Sequence, residues 1–114
     1  MLRKPLLLAL LLAGCSKGAQ ADLQYISQAR SLGAEWALVN EQAGEGKLTA
    51  AYVSSMHQWL RQQLETSSTA LTEPHSAYGA EIQALLQQPD NAPPEQLRAH
   101  AARLRQIEDQ LESA

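Results

Sequence analysis

The chain reads as an all-α protein, a small antiparallel helical bundle of three long helices and one short helix. Apolar residues recur at steps of three and four through three long stretches beyond residue 22. Alternation of period two never persists beyond a few residues, so nothing reads as a strand. Breakers fall where helices must stop: Gly44-Glu45-Gly46, Pro74, and the run from Pro89 to Pro94.

The first helix is predicted over about 22–43, with Asp22 as its N-cap. Tyr25, Ala29, Leu32, Trp36, Val39 and Ala43 form its inward stripe, and the glycines after Ala43 supply the left-handed residue that ends a helix. Thr49 caps a second helix over about 50–70, and Leu48 and Val53 stand at the two positions of a hydrophobic staple. Val53, Met56, Leu60, Leu64, Ser67 and Leu71 point inward with Tyr52 and Trp59 widening the stripe, while Gln58, Arg61, Gln62 and Glu65 face out. Pro74 disfavours helical geometry at Glu73. A short helix then carries Tyr78, Ile82 and Leu85 and stops near Gln88. Pro93 and Pro94 suit the first turn of a last helix, over about 94–112, whose stripe is Leu97, His100, Leu104, Ile107 and Leu111.

Short connections make neighbouring helices antiparallel. Folding the first two about the 44–48 turn brings level those residues whose numbers sum to about 95, which sets Trp36 beside Trp59, Val39 beside Met56 and Ala43 beside Tyr52. The chain has no Phe, so two Trp and three Tyr supply the aromatic core.

Ahead of this domain, Arg3 and Lys4 precede an apolar run from Leu6 to Leu12 that ends in Leu12-Ala13-Gly14-Cys15. A basic start, a short apolar run and small residues before a cut make a secretory signal. The run is too short to span a bilayer, which takes about 20 apolar residues. The tetrapeptide resembles the lipobox of bacterial membrane lipoproteins, a likeness confined to the first sixteen or so residues; the rest of the chain matches no family that can be named. The resemblance implies cleavage between Gly14 and Cys15, a diacylglycerol thioether on Cys15, and an N-acyl chain, such as palmitate, on the new amino group. It also implies the periplasmic face of the outer membrane in a two-membrane envelope, because Ser16, not an aspartate, follows the cysteine. Residues 1–14 are then a cleaved signal, 15–21 a lipidated cysteine with a flexible tether, and 22–114 the helical domain.

Loss of Arg3 and Lys4 leaves seven basic residues against twelve acidic, a formal charge of −5. Phosphate backbones are bound mainly through Lys and Arg, so nucleic acid is not an expected partner. Attachment rests on the acyl chains at Cys15, since one chain holds only marginally and two or three hold firmly.

The chemistry-bearing residues are few. His57, His75 and His100 show neither an i, i+4 pair nor a cysteine partner, so no metal site is expected. His100, inside an apolar stripe, reads as a half-buried residue bonded to a neighbouring helix, with metal or haem ligation or a pH-sensitive contact as the sharper alternatives. His57 and His75 read as surface residues. Ser54, Ser55 and His57 splay around a helix instead of converging, and Glu108, Asp109 and Glu112 read as a solvated charge run, so no catalytic residue is expected. The expected role is a non-catalytic interaction or accessory module with an envelope protein partner and no cofactor beyond the lipid. The alternative is a small-ligand module in which Trp36, Trp59, Tyr52 and His100 frame an aromatic pocket.

Overall fold

A computed structural model describes residues 18–114; the expected signal over 1–14, the expected Gly14/Cys15 cleavage point and the expected lipid site at Cys15 lie outside the described residues. Within them the protein is all-helical, with no strand. The five helices are α1 (Gly18–Ala21), α2 (Leu23–Gly44), α3 (Ala50–Ala70), α4 (Ala77–Leu86) and α5 (Pro94–Ser113). None is long and apolar enough to cross a membrane.

Local chemistry accounts for the boundaries. α2 ends in a Schellman arrangement: Lys47 N–H donates to the Gln42 carbonyl at 3.0 Å, Gly46 N–H to that of Ala43 at 3.1 Å, and Gly46 takes φ +74°. The Thr49 hydroxyl accepts from Tyr52 N–H at 3.1 Å and starts α3. Ser76 caps α4 by accepting from Gly79 N–H at 3.1 Å. Pro94 occupies the first turn of α5, where its missing N–H costs nothing.

α2 is the central helix. It packs most extensively on α5 and next on α3, and it also touches α4. Three neighbours need a wider apolar face than one stripe offers, so Ile26, Gly33 and Ala37 are buried with Ala29, Leu32, Trp36 and Val39, while Tyr25 and Ala43 are only half-buried. Leu60, Leu64, Leu71, Tyr78, Ile82, Leu85, Ala92, Leu97 and Leu104 complete the core. The hairpin of α2 and α3 runs in opposite sequence order, as Asp22 meets Thr72, Trp36 meets Arg61, and Asn40 meets His57.

Several expectations need correction. Of the expected tether over 15–21, the described part, Gly18–Ala21, is helical, because the Gly18 carbonyl accepts from the Thr72 hydroxyl at 2.9 Å and Gln20 Nε2 donates to the Leu111 carbonyl at 2.8 Å. Asp22 sits at the N-cap position of α2 but makes no side-chain cap, since its backbone is already helical and its carboxylate turns inward. Trp59 and Tyr52 are 44% and 49% exposed, not part of the core. The register of the hairpin nevertheless agrees, because His57 and Arg61 flank the level of Trp36. A side chain two positions from each of them points to the opposite side of the helix, so Trp59 is level with Trp36 without facing it.

Candidate functional site

Three groups of polar side chains hold the helices together. The first gathers on the loop between α4 and α5. The Arg61 guanidinium donates from Nη1 to the Leu86 carbonyl at 2.8 Å, from Nη2 to that of Gln88 at 2.6 Å, and from Nε to the Asp90 carboxylate at 2.8 Å. It thereby caps the C-terminal end of α4, where the macrodipole favours a cation, and it lies 5.0 Å from the centre of the Trp36 ring. Trp36 Nε1–H donates to the Asp90 carbonyl at 3.0 Å, and the Asn40 amide donates to the Asp90 and Ala92 carbonyls at 2.9 Å each. With its NH₂ so committed, Asn40 Oδ1 can only accept, so the proton of a neutral His57 ring lies on Nε2, 2.7 Å away. Arg61, expected to face out, and His57, expected at the surface, are therefore both drawn into this network. The opposite polarity of α4's last carbonyls and the free acceptors of the loop explain why.

A second group surrounds Asp22, whose side chain is fully buried. Its carboxylate accepts from Thr72 N–H at 2.8 Å, Glu73 N–H at 3.1 Å, the Thr72 hydroxyl at 3.1 Å and the Tyr78 hydroxyl at 2.6 Å. Burial pushes the acid upward, but these hydrogen bonds outweigh it and hold Asp22 below the usual carboxylate range. The same burial, with the carboxylate alongside, pushes the Tyr78 hydroxyl up to about 12.

A third group joins α5 to its neighbours. Glu81 on α4 accepts from His100 Nδ1 at 2.5 Å and from Arg103 Nε at 3.0 Å, so His100 is a buried residue bonded to the neighbouring helix. Glu108, read as part of a solvated charge run, is 8% exposed and pairs with Arg30 of α2 at 2.7 Å. It falls one position past the apolar Ile107, on the side that α2 covers. No local spacing marks Arg30 as its partner, because a pair so far apart in sequence leaves no periodic signal.

The four residues expected to frame an aromatic pocket occupy three places. Trp36 is sealed in the core, Tyr52 and Trp59 stand on the outer face of α3, and His100 lies against α4. A cleft of about 340 Å³ lies near the α4–α5 loop, where Asn40, Val53, His57 and Pro94 line it; none of Trp36, Tyr52, Trp59 and His100 does. His75 is exposed. Among the described residues no group of three or more His, Cys, Asp or Glu side chains stands where it could hold a metal ion. The hydrogen bonds described for these three groups each join one helix or loop to another, so their chemistry is that of a clamp. No protein-family model, no curated protein and no solved structure matches this chain.

Proposed function

We propose that the protein is a lipid-anchored envelope lipoprotein, held through Cys15 on the periplasmic face of the outer membrane, whose antiparallel helical bundle serves as a non-catalytic accessory module for an envelope protein. The observation that carries this reading is the run Leu12-Ala13-Gly14-Cys15 behind Arg3 and Lys4, three positions ahead of the helical residues described from Gly18 onward. A leader of that form directly ahead of a folded domain is the arrangement an anchored protein needs.

The accessory role is supported by where the polar chemistry is spent. Arg61, Asp22, Glu81 and Glu108 are each committed to an interhelical contact, while Tyr52, Trp59 and Leu38 remain exposed as large apolar side chains. Tyr and Trp are enriched at contact surfaces, whether with a protein partner or with the membrane that anchors the domain.

Metabolic labelling with an alkyne fatty acid, followed by mass spectrometry of the mature N-terminus, tests the anchor. Wild-type protein should carry label on Cys15, and Cys15→Ala should carry none and stay uncleaved. An unlabelled wild type whose mature chain begins elsewhere overturns the anchor. Cross-linking in intact membranes tests the accessory role: a reproducible envelope partner that is lost with Cys15→Ala supports it, and an anchored protein cross-linked to nothing refutes it.

A further inference from the structure

The outer face of α3 differs from that of α5. Of the twelve exposed residues in Ala50–Ala70, Glu65 alone is charged, whereas half of the twelve in Pro94–Ser113 are: Glu95, Arg98, Arg103, Arg105, Asp109 and Glu112. Tyr52 and Trp59, spaced by two turns, stand on that nearly neutral surface at 49% and 44% exposure. A ring with an apolar body and a polar tip suits a boundary between water and an apolar phase.

The length of chain ahead of Gly18 says what lies nearby. From Cys15 to Gly18 the backbone reaches at most about 11 Å, and Gly18 is fixed to the domain through Thr72. Wherever the acyl chains on Cys15 enter a bilayer, the Gly18 end of the domain stands within that distance of it. α3 ends close to the same point, because Leu71 and Thr72 follow its last residue and Thr72 reaches Gly18. Its outer strip therefore starts beside the anchor at Thr69 and runs outward through Thr66 and Gln62 to Trp59, about 15 Å up the helix at 1.5 Å per residue.

We infer that the anchored domain lies along the bilayer on the outer face of α3, with Trp59 and Tyr52 in the headgroup layer of the membrane that holds Cys15. This rests on the reading of Cys15 as the lipid site. The lipid surface is zwitterionic in character: α3 offers no cluster of cations to anionic headgroups, and it carries only Glu65 for them to repel. A chain with a formal charge of −5 after cleavage approaches headgroups best through this nearly neutral face. A contact this small would not recruit a free protein. The anchor makes it intramolecular, at a high effective concentration, and a weak contact then suffices. The charged face of α5 is left turned toward the aqueous side, where a protein partner would meet it.

The test uses full-length lipidated protein, purified from membranes and reconstituted into phosphatidylcholine vesicles containing a lipid brominated near the top of its acyl chain. Flotation comes first: protein that fails to float with the vesicles refutes the anchor itself, independently of orientation. In floating protein, the emission of Trp59 is the difference between wild type and Trp59→Phe, which retains only the sealed Trp36. That emission should fall severalfold with the brominated lipid and be shielded from acrylamide relative to the same protein in detergent. Emission untouched by the brominated lipid and open to acrylamide means that the domain stands upright and overturns the inference. Shielding from acrylamide without quenching by lipid means that a second copy of the chain covers α3, which overturns it equally. Trp59→Phe changes an exposed side chain, so its folding is not at issue.

Discussion

Replacing Asp22 is the most incisive perturbation of this fold, because one buried carboxylate holds the start of α2, the α3–α4 loop and the first turn of α4 together. Hydrogen bonds to a charged partner are each worth about 1.5–3 kcal/mol net, and they do not add fully. The Thr72 and Glu73 amides can regain water when the loop opens, but the Tyr78 hydroxyl belongs to a residue only 4% exposed. Asp22→Ala should therefore cost about 3–5 kcal/mol, a large share of the roughly 5–15 kcal/mol that stabilises a domain. Asp22→Asn keeps the shape but turns an NH₂ toward donors, and should cost about 2–4 kcal/mol. Urea unfolding followed by circular dichroism at 222 nm reads the loss as a lower midpoint at constant slope.

The pH dependence separates charge from shape. Asp22 titrates below its ordinary value of 3.8 in the folded protein. Its contribution is full above that value and is lost as pH falls through the folded one. The gap between wild type and Asp22→Asn should thus narrow as the solution is acidified below about pH 4. A loss under about 1 kcal/mol at neutral pH, or a gap that stays constant down to pH 2, would refute the reasoning.

The partner hydroxyl gives the opposite signature: with Tyr78 raised from 10.0 to about 12, stability present below pH 10 should fall by up to about 2.7 kcal/mol between those values, and Tyr78→Phe should abolish that part of the alkaline decline. Gly79→Ala should destabilise by more than about 2 kcal/mol in thermal unfolding, because the added Cβ would clash with the Pro74 carbonyl oxygen and a backbone atom cannot swing aside. Arg61→Ala should cost about 1.5–3 kcal/mol and open the 87–93 loop to limited proteolysis, since it removes the cap on α4 and the bond to Asp90 together. Equal protease resistance in wild type and variant would mean that Trp36 and Asn40 hold the loop unaided.

The helices were legible because their signals are local. Spacing, caps and breakers place α2, α3 and α5 within about a residue of where they stand, and the Thr49 cap and the glycine stop after α2 are pairs of residues within one turn of each other. The register of the α2–α3 hairpin was legible for a related reason, since a five-residue turn leaves little freedom in which residues come level. What a level residue faces was not. Trp36 meets His57 and Arg61 instead of Trp59, because facing depends on the rotation of each helix about its axis, and that rotation is chosen by the summed burial of every stripe at once.

The candidate site divides the same way. The Cys15 motif is a local string and is read from the sequence alone, as are the full chain's formal charge of −3 and the scarcity of charge along α3. The fates of individual polar groups belong to the tertiary structure. Asp22 left its cap for a loop fifty residues away, Arg61 turned from solvent to the end of α4, and Glu108 paired with Arg30 across seventy-eight residues. A buried charge must find a partner wherever the packed chain offers one, and the identity of that partner is set by which surfaces meet, not by any spacing in the sequence.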